Sequence, residues 1–334
     1  MTTRLAIQNY PFNYFFNDGP RVFLNRISQA FKKNNMFEVK SHFFPNHDAG
    51  LYTMKSDFFG KPSFLRVDGL HINQYKTKVA IKENKKVFES FQKSKGIIFQ
   101  TRYCEKIFKT LYPNHANKPS TIIHNGVPLT EFRPDGENYR TYLGISKQDK
   151  VLICSAHWRR HKRLKETIKL VSLLNNNSKE SNYKLIILGD AYDLKKKYFE
   201  NKDLYFAGLH KPNNLSKWYR TADIFINLAW IEPSGNVQQE AIACGLPVIC
   251  CNNGGIGETI KNASAGIISQ TDEEYKFNYI DYYNPPEPNY SNLIKDVKNL
   301  FDNIKYFKDK IDYNEVDINI IAKRYMKFIK DNIS

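Results

Sequence analysis

The chain has 334 residues, and 41% of them are hydrophobic, including 23 Phe and 21 Tyr. This length exceeds what a single hydrophobic core usually organises, so we expect two domains, and the composition excludes a disordered chain. The formal net charge of +16 is uneven, because residues 1–134 hold 21 Lys and Arg against 9 Asp and Glu, a balance of +12.

Short apolar runs alternate with helical patterns in the first half of the chain. The helices are predicted from residue 21, over 76–95 and over 102–111. The runs typical of buried strands lie at residues 5–7, 38–44, 63–67, 96–100 and 120–123. This alternation predicts a parallel, doubly wound sheet.

The second half repeats the alternation after a polar stretch, residues 135–150, which is the candidate linker. Its strands are predicted at residues 151–155, 183–188, 204–207, 223–227 and 248–250. Its helices are predicted at residues 215–222, 236–244, 291–310 and 315–331. A second parallel sheet is therefore expected.

The basic excess of the first half has several explanations. Nucleic acid, an anionic membrane surface and an anionic acceptor would each bind a basic face. The alternative is a solvated basic helix over residues 76–95 with no such partner.

The five cysteines form no Cys-x-x-Cys pair, which favours a reducing compartment over a disulfide framework or a zinc site. No apolar run is long enough to span a bilayer, and the N-terminus lacks a signal-like apolar core. We expect a cytoplasmic protein that is at most peripheral at a membrane.

Residues 231–247 are the most informative stretch of the sequence. Two carboxylates, Glu232 and Glu240, flank a Pro-Ser-Gly turn that leads into a helix, and this loop follows a predicted strand. Ligands bind at the carboxyl ends of parallel strands, and a helix start presents free N–H groups to an anion such as phosphate. Glu240 would then suit a ribose diol. The alternative is a capped surface loop before an ordinary helix.

Cations crowd the segment that follows the strand at residues 151–155. An anionic partner is the simplest reason to place such side chains together, and a solvated basic helix start is the alternative. Cations gain nothing from the dipole at a helix N-terminus, which disfavours the alternative. The crowded residues are Arg159, Arg160, Lys162, Arg163 and Lys165.

The 231–247 stretch resembles the paired-glutamate signature of family-four retaining glycosyltransferases of the GT-B fold. The tail of that signature, E-A-x-A-x-G-x-P-V, is matched by Glu240, Ala241, Ala243, Gly245, Pro247 and Val248. The resemblance implies two Rossmann-like parallel-sheet domains that face a central cleft. Residues 1–134 would bind the acceptor, residues 135–312 would bind a nucleotide sugar, and a C-terminal helix within 313–334 would pack back on the first domain.

The resemblance also assigns roles to residues. Lys162 and Arg159 would grip the donor diphosphate, although the family's Gly-Arg step is here Ala156-His157, and Glu232 would hold the sugar hydroxyls. The donor-binding residues implied are Gly189, Leu209, Ser234, Gly235, Asn236, Val237 and Glu240.

The acceptor-side candidates lie in the first half. Gly19 matches by position a glycine loop of the family, whose usual double glycine is absent here. Asp68 and His71 follow the strand at residues 63–67, where polar side chains are well placed for an acceptor, and a simple turn of Asp68 with Gly69 is the alternative.

The expected function is a retaining transfer of a hexose-type sugar in glycan biosynthesis. The donor would be a nucleoside-diphosphate sugar, with UDP or GDP favoured, and the acceptor a glycan, a lipid-linked molecule or another hydroxyl compound. No cofactor is implied, and the second half has neither an Asp-x-Asp motif nor a His/Cys cluster for a metal. A GT-B nucleotide-sugar epimerase or hydrolase would share this site. A nucleic-acid-binding protein is the remaining alternative, but no reader module is present, so no nucleic-acid partner is expected.

Overall fold

The computed structural model describes residues 2–8, 10, 19–43, 46–55, 61–72, 77–176, 182–198, 200–210, 212–276 and 279–333. Within them the first half of the chain forms one parallel sheet of order β2-β1-β3-β4-β5-β6. Its elements in chain order are β1 (Arg4–Ile7), α1 (Gly19–Lys33), β2 (Glu38–Ser41), β3 (Ala49–Thr53), β4 (Ser63–Val67), α2 (Thr77–Lys93), β5 (Gly96–Phe99), α3 (Arg102–Leu111) and β6 (Ser120–Ile122).

The second half forms another parallel sheet, of order β12-β11-β10-β7-β8-β9. Its strands are β7 (Lys150–Ser155), β8 (Tyr183–Leu188), β9 (Leu204–Gly208), β10 (Ile224–Asn227), β11 (Val248–Cys251) and β12 (Gly266–Ser269). Its helices are α4 (Leu164–Asn176), α5 (Tyr192–Lys197), α6 (Pro212–Tyr219), α7 (Asn236–Ala243), α8 (Ile256–Asn262), α9 (Tyr290–Asp302), α10 (Ile304–Asp309) and α11 (Ile318–Asn332).

Both sheets are covered by helices, and their central strands are buried along their length. β4 and β8, for example, contain only buried residues. Strands that are covered on both faces read as continuous apolar runs, which is why the sequence pattern located them. In the second sheet β7 lies between β10 and β8, so the chain reverses its direction of winding between β7 and β10. A parallel sheet binds ligands at such a switch point.

The last helix, α11, packs against α1 and completes the core of the first sheet. Ile321 and Tyr325 are fully buried there, and the Tyr325 ring lies 5.8 Å from that of Phe23. The predicted return of the C-terminal helix to the first domain is confirmed. Gly126 permits this approach, because a Cβ at that position would lie 2.9 Å from the Ile318 Cα.

The fold agrees with the GT-B prediction, and the differences are local. Residues 291–310 were expected to form one helix, which is wrong, because α9 ends before Asn303 and α10 begins after it. The short or glycine-containing elements β3, β12 and α8 and the exposed helix α5 have no counterpart among the predicted elements. Residues 11–18, in the loop before Gly19, lie outside the described residues. No helix in the described part of the chain is both long and apolar enough to cross a membrane.

The α11 contact predicts a strong stability effect. We expect Ile321→Ala to lower the free energy of unfolding by about 2–5 kcal/mol, because it leaves a cavity in the core of the first sheet. Lys323→Ala, on the exposed face of the same helix, should change it by less than about 0.5 kcal/mol. Urea unfolding of both variants measures the difference, and equal midpoints would contradict the packing described here.

Candidate active site

The carboxyl ends of β7 and β10 bring two charged side chains together. Lys162 ends a short 3₁₀ helix after β7, and Glu232 follows β10 in the 231–247 signature. The Lys162 ammonium donates to Glu232 Oε2, and both side chains are mostly buried, with 14% and 16% exposed. Two of the three residues predicted from the sequence to be catalytic, Lys162 and Glu232, therefore form one ion pair at the switch point of the sheet, and Arg159 is not part of it.

The backbone around Glu232 is strained and tightly held. Ile231, a β-branched and buried residue, has φ of 60°, a conformation such residues rarely adopt. The Glu232 carbonyl accepts from Gly255 N at 2.8 Å, and a Cβ on Gly254 would lie only 2.4 Å from that carbonyl oxygen. Strain of this size persists only where neighbours enforce it, and here it fixes the direction of the Glu232 side chain.

Helix α7 begins beside this ion pair without a side-chain cap. Its N-cap, Gly235, has no side chain to accept from the first N–H groups. The Ser234 hydroxyl is buried and has no hydrogen-bond partner among the described residues. An uncapped helix start with a buried hydroxyl beside it favours an anion. Ser234, Gly235, Asn236 and Val237 thus follow Glu232 closely at the start of α7, and their role as donor-binding residues stays a prediction.

Glu240 lies one turn further along α7 and is satisfied within the protein. Its Oε1 accepts from Arg26 Nη2 at 2.7 Å, and its Oε2 accepts from the Tyr219 hydroxyl at 2.9 Å. Arg26 belongs to α1, so this buried ion pair joins the two domains. The ribose role expected for Glu240 would require sharing an oxygen with one of these partners. Arg26 was missed, although a charge at helical spacing between Phe23 and Ala30 on an apolar face is a detectable signal.

A polar seam continues from Glu240 to the acceptor side. The Asn236 amide donates to the Gly19 carbonyl at 3.0 Å and accepts from Asn125 Nδ2 at 2.8 Å. The fully buried Arg66 donates to Asn125 Oδ1 at 2.6 Å and pairs with Asp68 at 3.0 Å. Two acceptor-side candidates, Gly19 and Asp68, are thereby connected to the start of α7.

The third acceptor-side candidate, His71, lies outside this seam. Its side chain is exposed, and its backbone N–H and carbonyl are held by the side chain of Asn84, both at 2.8 Å. Asn84 lies on α2. The loop 68–71 therefore touches the signature at one end, where Gly69 packs against Pro233, and α2 at the other.

A second contact between the domains lies at the start of α3. Glu258 of α8 accepts from the backbone N–H groups of Arg102 and Tyr103 at 2.7 and 2.8 Å, and burial raises the pKa of its carboxyl. The Thr101 hydroxyl donates to the Pro233 carbonyl at 3.1 Å. A carboxylate from one domain thus caps a helix of the other.

The basic segment after β7 is only partly available to a ligand, which corrects the expectation of one anion-binding group. Arg160 pairs with Glu166 at 2.6 Å. Arg163 is fully buried and binds Asp272 at 2.5 Å. Arg159 and Lys165 are exposed. Burial, and to a smaller extent the charge of Arg159, lowers the pKa of Lys162 to about 7.

The two predicted base contacts lie on neighbouring strand ends. Gly189 follows β8 with φ of 101°, and its N–H donates to the Gly208 carbonyl at 2.8 Å. A Cβ there would lie 2.1 Å from the Ala156 carbonyl oxygen, so the position requires glycine. Leu209 follows β9 and is 69% exposed. Gly189 therefore borders the loop after β7, which also holds Lys162.

Solved structures share this architecture across the whole chain. Sucrose-phosphate synthase from Thermosynechococcus elongatus aligns with a TM-score of 0.72 at 12% identity, covering 98% of both chains. HepE of Anabaena in complex with UDP-glucose aligns with a TM-score of 0.66 at 12% identity, covering 98% of this chain and 100% of that one. Two parallel-sheet domains joined in this way across a cleft define the GT-B fold, and the chain is a GT-B protein.

The sequence comparison matches part of the second half of the chain to a family. Residues 135–280 match the family model described as glycosyl transferases group 1, which confirms the predicted resemblance. N-acetyl-alpha-D-glucosaminyl L-malate synthase of Bacillus anthracis is 27% identical over 162 residues, which are 46% of this chain and 41% of that protein. The match to this curated relative thus covers less than half of either protein.

The buried ion pair predicts a second stability effect. We expect Arg26→Met to lower the free energy of unfolding by about 3–5 kcal/mol, because it leaves the Glu240 carboxylate buried without its cation. Adding Glu240→Gln should restore part of the loss. Lys327→Met, in the exposed Lys327–Asp331 pair, should cost less than about 1 kcal/mol. Denaturant unfolding distinguishes these outcomes, and equal effects of the two single variants would contradict the importance of the pair.

Proposed function

We propose that this chain is a retaining glycosyltransferase that moves a hexose-type sugar from a nucleoside-diphosphate sugar to a hydroxyl acceptor. The observation that carries the proposal is the Lys162–Glu232 pair beside the uncapped start of α7, at the switch point of the second sheet. In this proposal residues 135–312 hold the donor and residues 1–134 hold the acceptor. The segment 313–334 completes the first domain.

The chemistry follows from where charge develops. Breaking the bond between the anomeric carbon and phosphate oxygen leaves negative charge on the diphosphate and oxocarbenium character on the sugar. The Lys162 ammonium, the Arg159 guanidinium and the N–H groups of α7 would stabilise the diphosphate without a metal. No cluster of three or more His, Cys, Asp or Glu side chains that could hold a metal ion occurs in the described part of the chain.

Glu232 would change partner when the donor binds. In the ligand-free structure its carboxylate accepts from Lys162, and a bound diphosphate would attract that ammonium instead. The carboxylate could then accept from the sugar hydroxyls. With retention, the acceptor hydroxyl attacks from the face that the phosphate leaves, and its proton passes to a departing phosphate oxygen.

UDP is the favoured donor nucleotide. The HepE structure, which has the same fold, is a complex with UDP-glucose, and this supports a nucleotide-sugar donor here. Gly189 and Leu209 would border the base, mainly through backbone groups. Glu240 would contact the ribose only by sharing a carboxylate oxygen with Arg26 or Tyr219.

A nucleotide-sugar epimerase or hydrolase is the second candidate, since it would use the same donor site. Dependence on an acceptor separates the two. A transferase consumes donor faster when an acceptor is added, whereas an epimerase or hydrolase turns over the donor alone.

The diphosphate grip gives a direct binding test. Saturating UDP, without divalent metal, should raise the melting temperature of the wild type by a few degrees, since a hundredfold excess over Kd adds about 2.7 kcal/mol. Lys162→Ala should lose most of this shift. Lys165→Ala, which removes an exposed lysine three residues further on, should keep it. A shift that survives in Lys162→Ala, or that appears only with Mg²⁺, would contradict the proposed grip.

The lowered pKa of Lys162 predicts a pH dependence. Only the protonated amine grips a diphosphate, and burial has lowered its pKa to about 7 in the free protein. Binding above that pH must therefore take up a proton, and affinity for UDP-glucose should fall by up to about tenfold per pH unit. Lys162→Arg should bind with little change between about pH 7 and 8.5, because arginine stays charged. Titration calorimetry measures both, and a flat wild-type profile would contradict this assignment.

A further inference from the structure

Helix α2 presents a cationic face with aliphatic flanks to solvent. Lys78, Lys82 and Lys85 are exposed along one side of the helix. Val79 and Ile81, on either side of this row, are 57% and 54% exposed. The opposite side of the helix packs into the first domain through Ala80, Asn84, Val87 and Phe91, all buried. The outward face therefore has both charge and apolar area free for a partner.

The positive charge of this face is not cancelled by its own carboxylates. Glu83 pairs with Lys55 and Lys86, and Glu89 lies 4.0 Å from Lys85. Lys78 and Lys82 have no carboxylate within 4.0 Å among the described residues. Together with Lys93, α2 holds five lysines and two glutamates. The face is thus a concentrated part of the basic excess of residues 1–134.

The aliphatic flanks distinguish between possible anionic partners. A soluble polyanion would pair with the lysines, but Val79 and Ile81 would stay in water and add little to its binding. An anionic bilayer would bind both kinds of side chain, because the lysines would pair with the charged headgroups and the aliphatic side chains would enter the boundary with the acyl chains. A helix lying in the plane of the membrane surface would bring the lysines and both aliphatic side chains of this face into contact with the bilayer.

The position of α2 gives the contact a consequence for the reaction. Asn84 holds the backbone of His71 by two hydrogen bonds, and the loop 68–71 continues to Gly69, which packs on Pro233 of the signature. Asn84 lies on the inner side of α2, so a membrane bound along the outward face would lie about one helix diameter, roughly 10 Å, from this loop. A substrate anchored in that membrane could reach the site without leaving it.

We propose that the exposed face of α2 docks on an anionic bilayer, and that the acceptor is a lipid-linked molecule presented from that bilayer. The second part rests on the proposed glycosyltransferase function, whereas the docking does not. Docking depends on Lys78, Lys82, Val79 and Ile81.

Flotation with phosphatidylcholine vesicles, with and without phosphatidylglycerol, tests the docking. The wild type should float only with the anionic vesicles, and less at high salt. Lys78→Gln with Lys82→Gln should weaken binding about tenfold or more, since each lysine at an anionic surface contributes roughly fivefold. Val79→Ser with Ile81→Ser should also weaken binding, although its charge is unchanged. A wild type that stays unbound would overturn the proposal.

The matched control is Lys195→Gln with Lys196→Gln, which removes two exposed charges from α5 in the second domain. This variant should float like the wild type, and an equal loss would show that net charge alone drives binding. If the Val79 and Ile81 variant floats normally while soluble polyphosphate displaces the wild type, the face binds polyanions and not a bilayer.

The failures of the two proposals are separable. UDP thermal shifts measured on the α2 variants should equal that of the wild type, because the substituted side chains are exposed on the outward face of α2. Normal UDP shifts with no flotation would reject docking alone. Flotation without any nucleotide shift would reject the proposed function and leave the docking intact.

Discussion

The arrangement of the two domains depends on one buried ion pair. Arg26 and Glu240 lie on helices of different domains, and each is at least nine-tenths buried. A buried pair offsets its desolvation best where its remaining polar atoms are also satisfied. Here Tyr219 takes the second carboxylate oxygen, whereas Arg26 Nη1 has no hydrogen-bond partner among the described residues. Such a pair tolerates few relative positions of its two helices. It therefore fixes α1 of the first domain against α7 of the second.

The polar seam around Asn236 and the strained backbone at Ile231 lie within the same loop and helix start of the second domain. Asn236 meets Gly19 and Asn125 across the domain boundary, while Glu258 caps α3 from the opposite side. Between these contacts, Ile231 holds a left-handed backbone conformation that aims Glu232 at Lys162. Strain of this kind is found where surrounding contacts over-determine the backbone. Here these contacts come from Gly254 and Gly255 of the second domain and from Ile72 of the first, which packs in one cluster with Ile231. The site is thus built by the interface as much as by the second domain.

The sequence predicted the elements that consist of long buried apolar runs, and it predicted residues within the 231–247 signature. β4, β8 and α3 were located to the residue, because buried strands and an amphipathic helix leave clear periodic patterns. β3 escaped, since its Ala-Gly-Leu-Tyr-Thr sequence is short and contains glycine. Partners far apart in sequence also escaped, as with Arg26 and Glu240 or Arg163 and Asp272, because no local pattern pairs them. Whether a charged residue faces a ligand or a distant side chain is decided by tertiary packing.

The return of α11 to the first domain has a consequence for how the chain is made. The core around α1 includes Ile318, Ile321, Ala322, Tyr325 and Ile329, which a ribosome produces long after β6. The second domain has all of its strands by Ser269 and can complete its sheet earlier. During synthesis the apolar surface of α1 therefore stays uncovered, and the core of the first domain incomplete, until α11 has been made. The domain that begins first in the chain is therefore the one that finishes folding last.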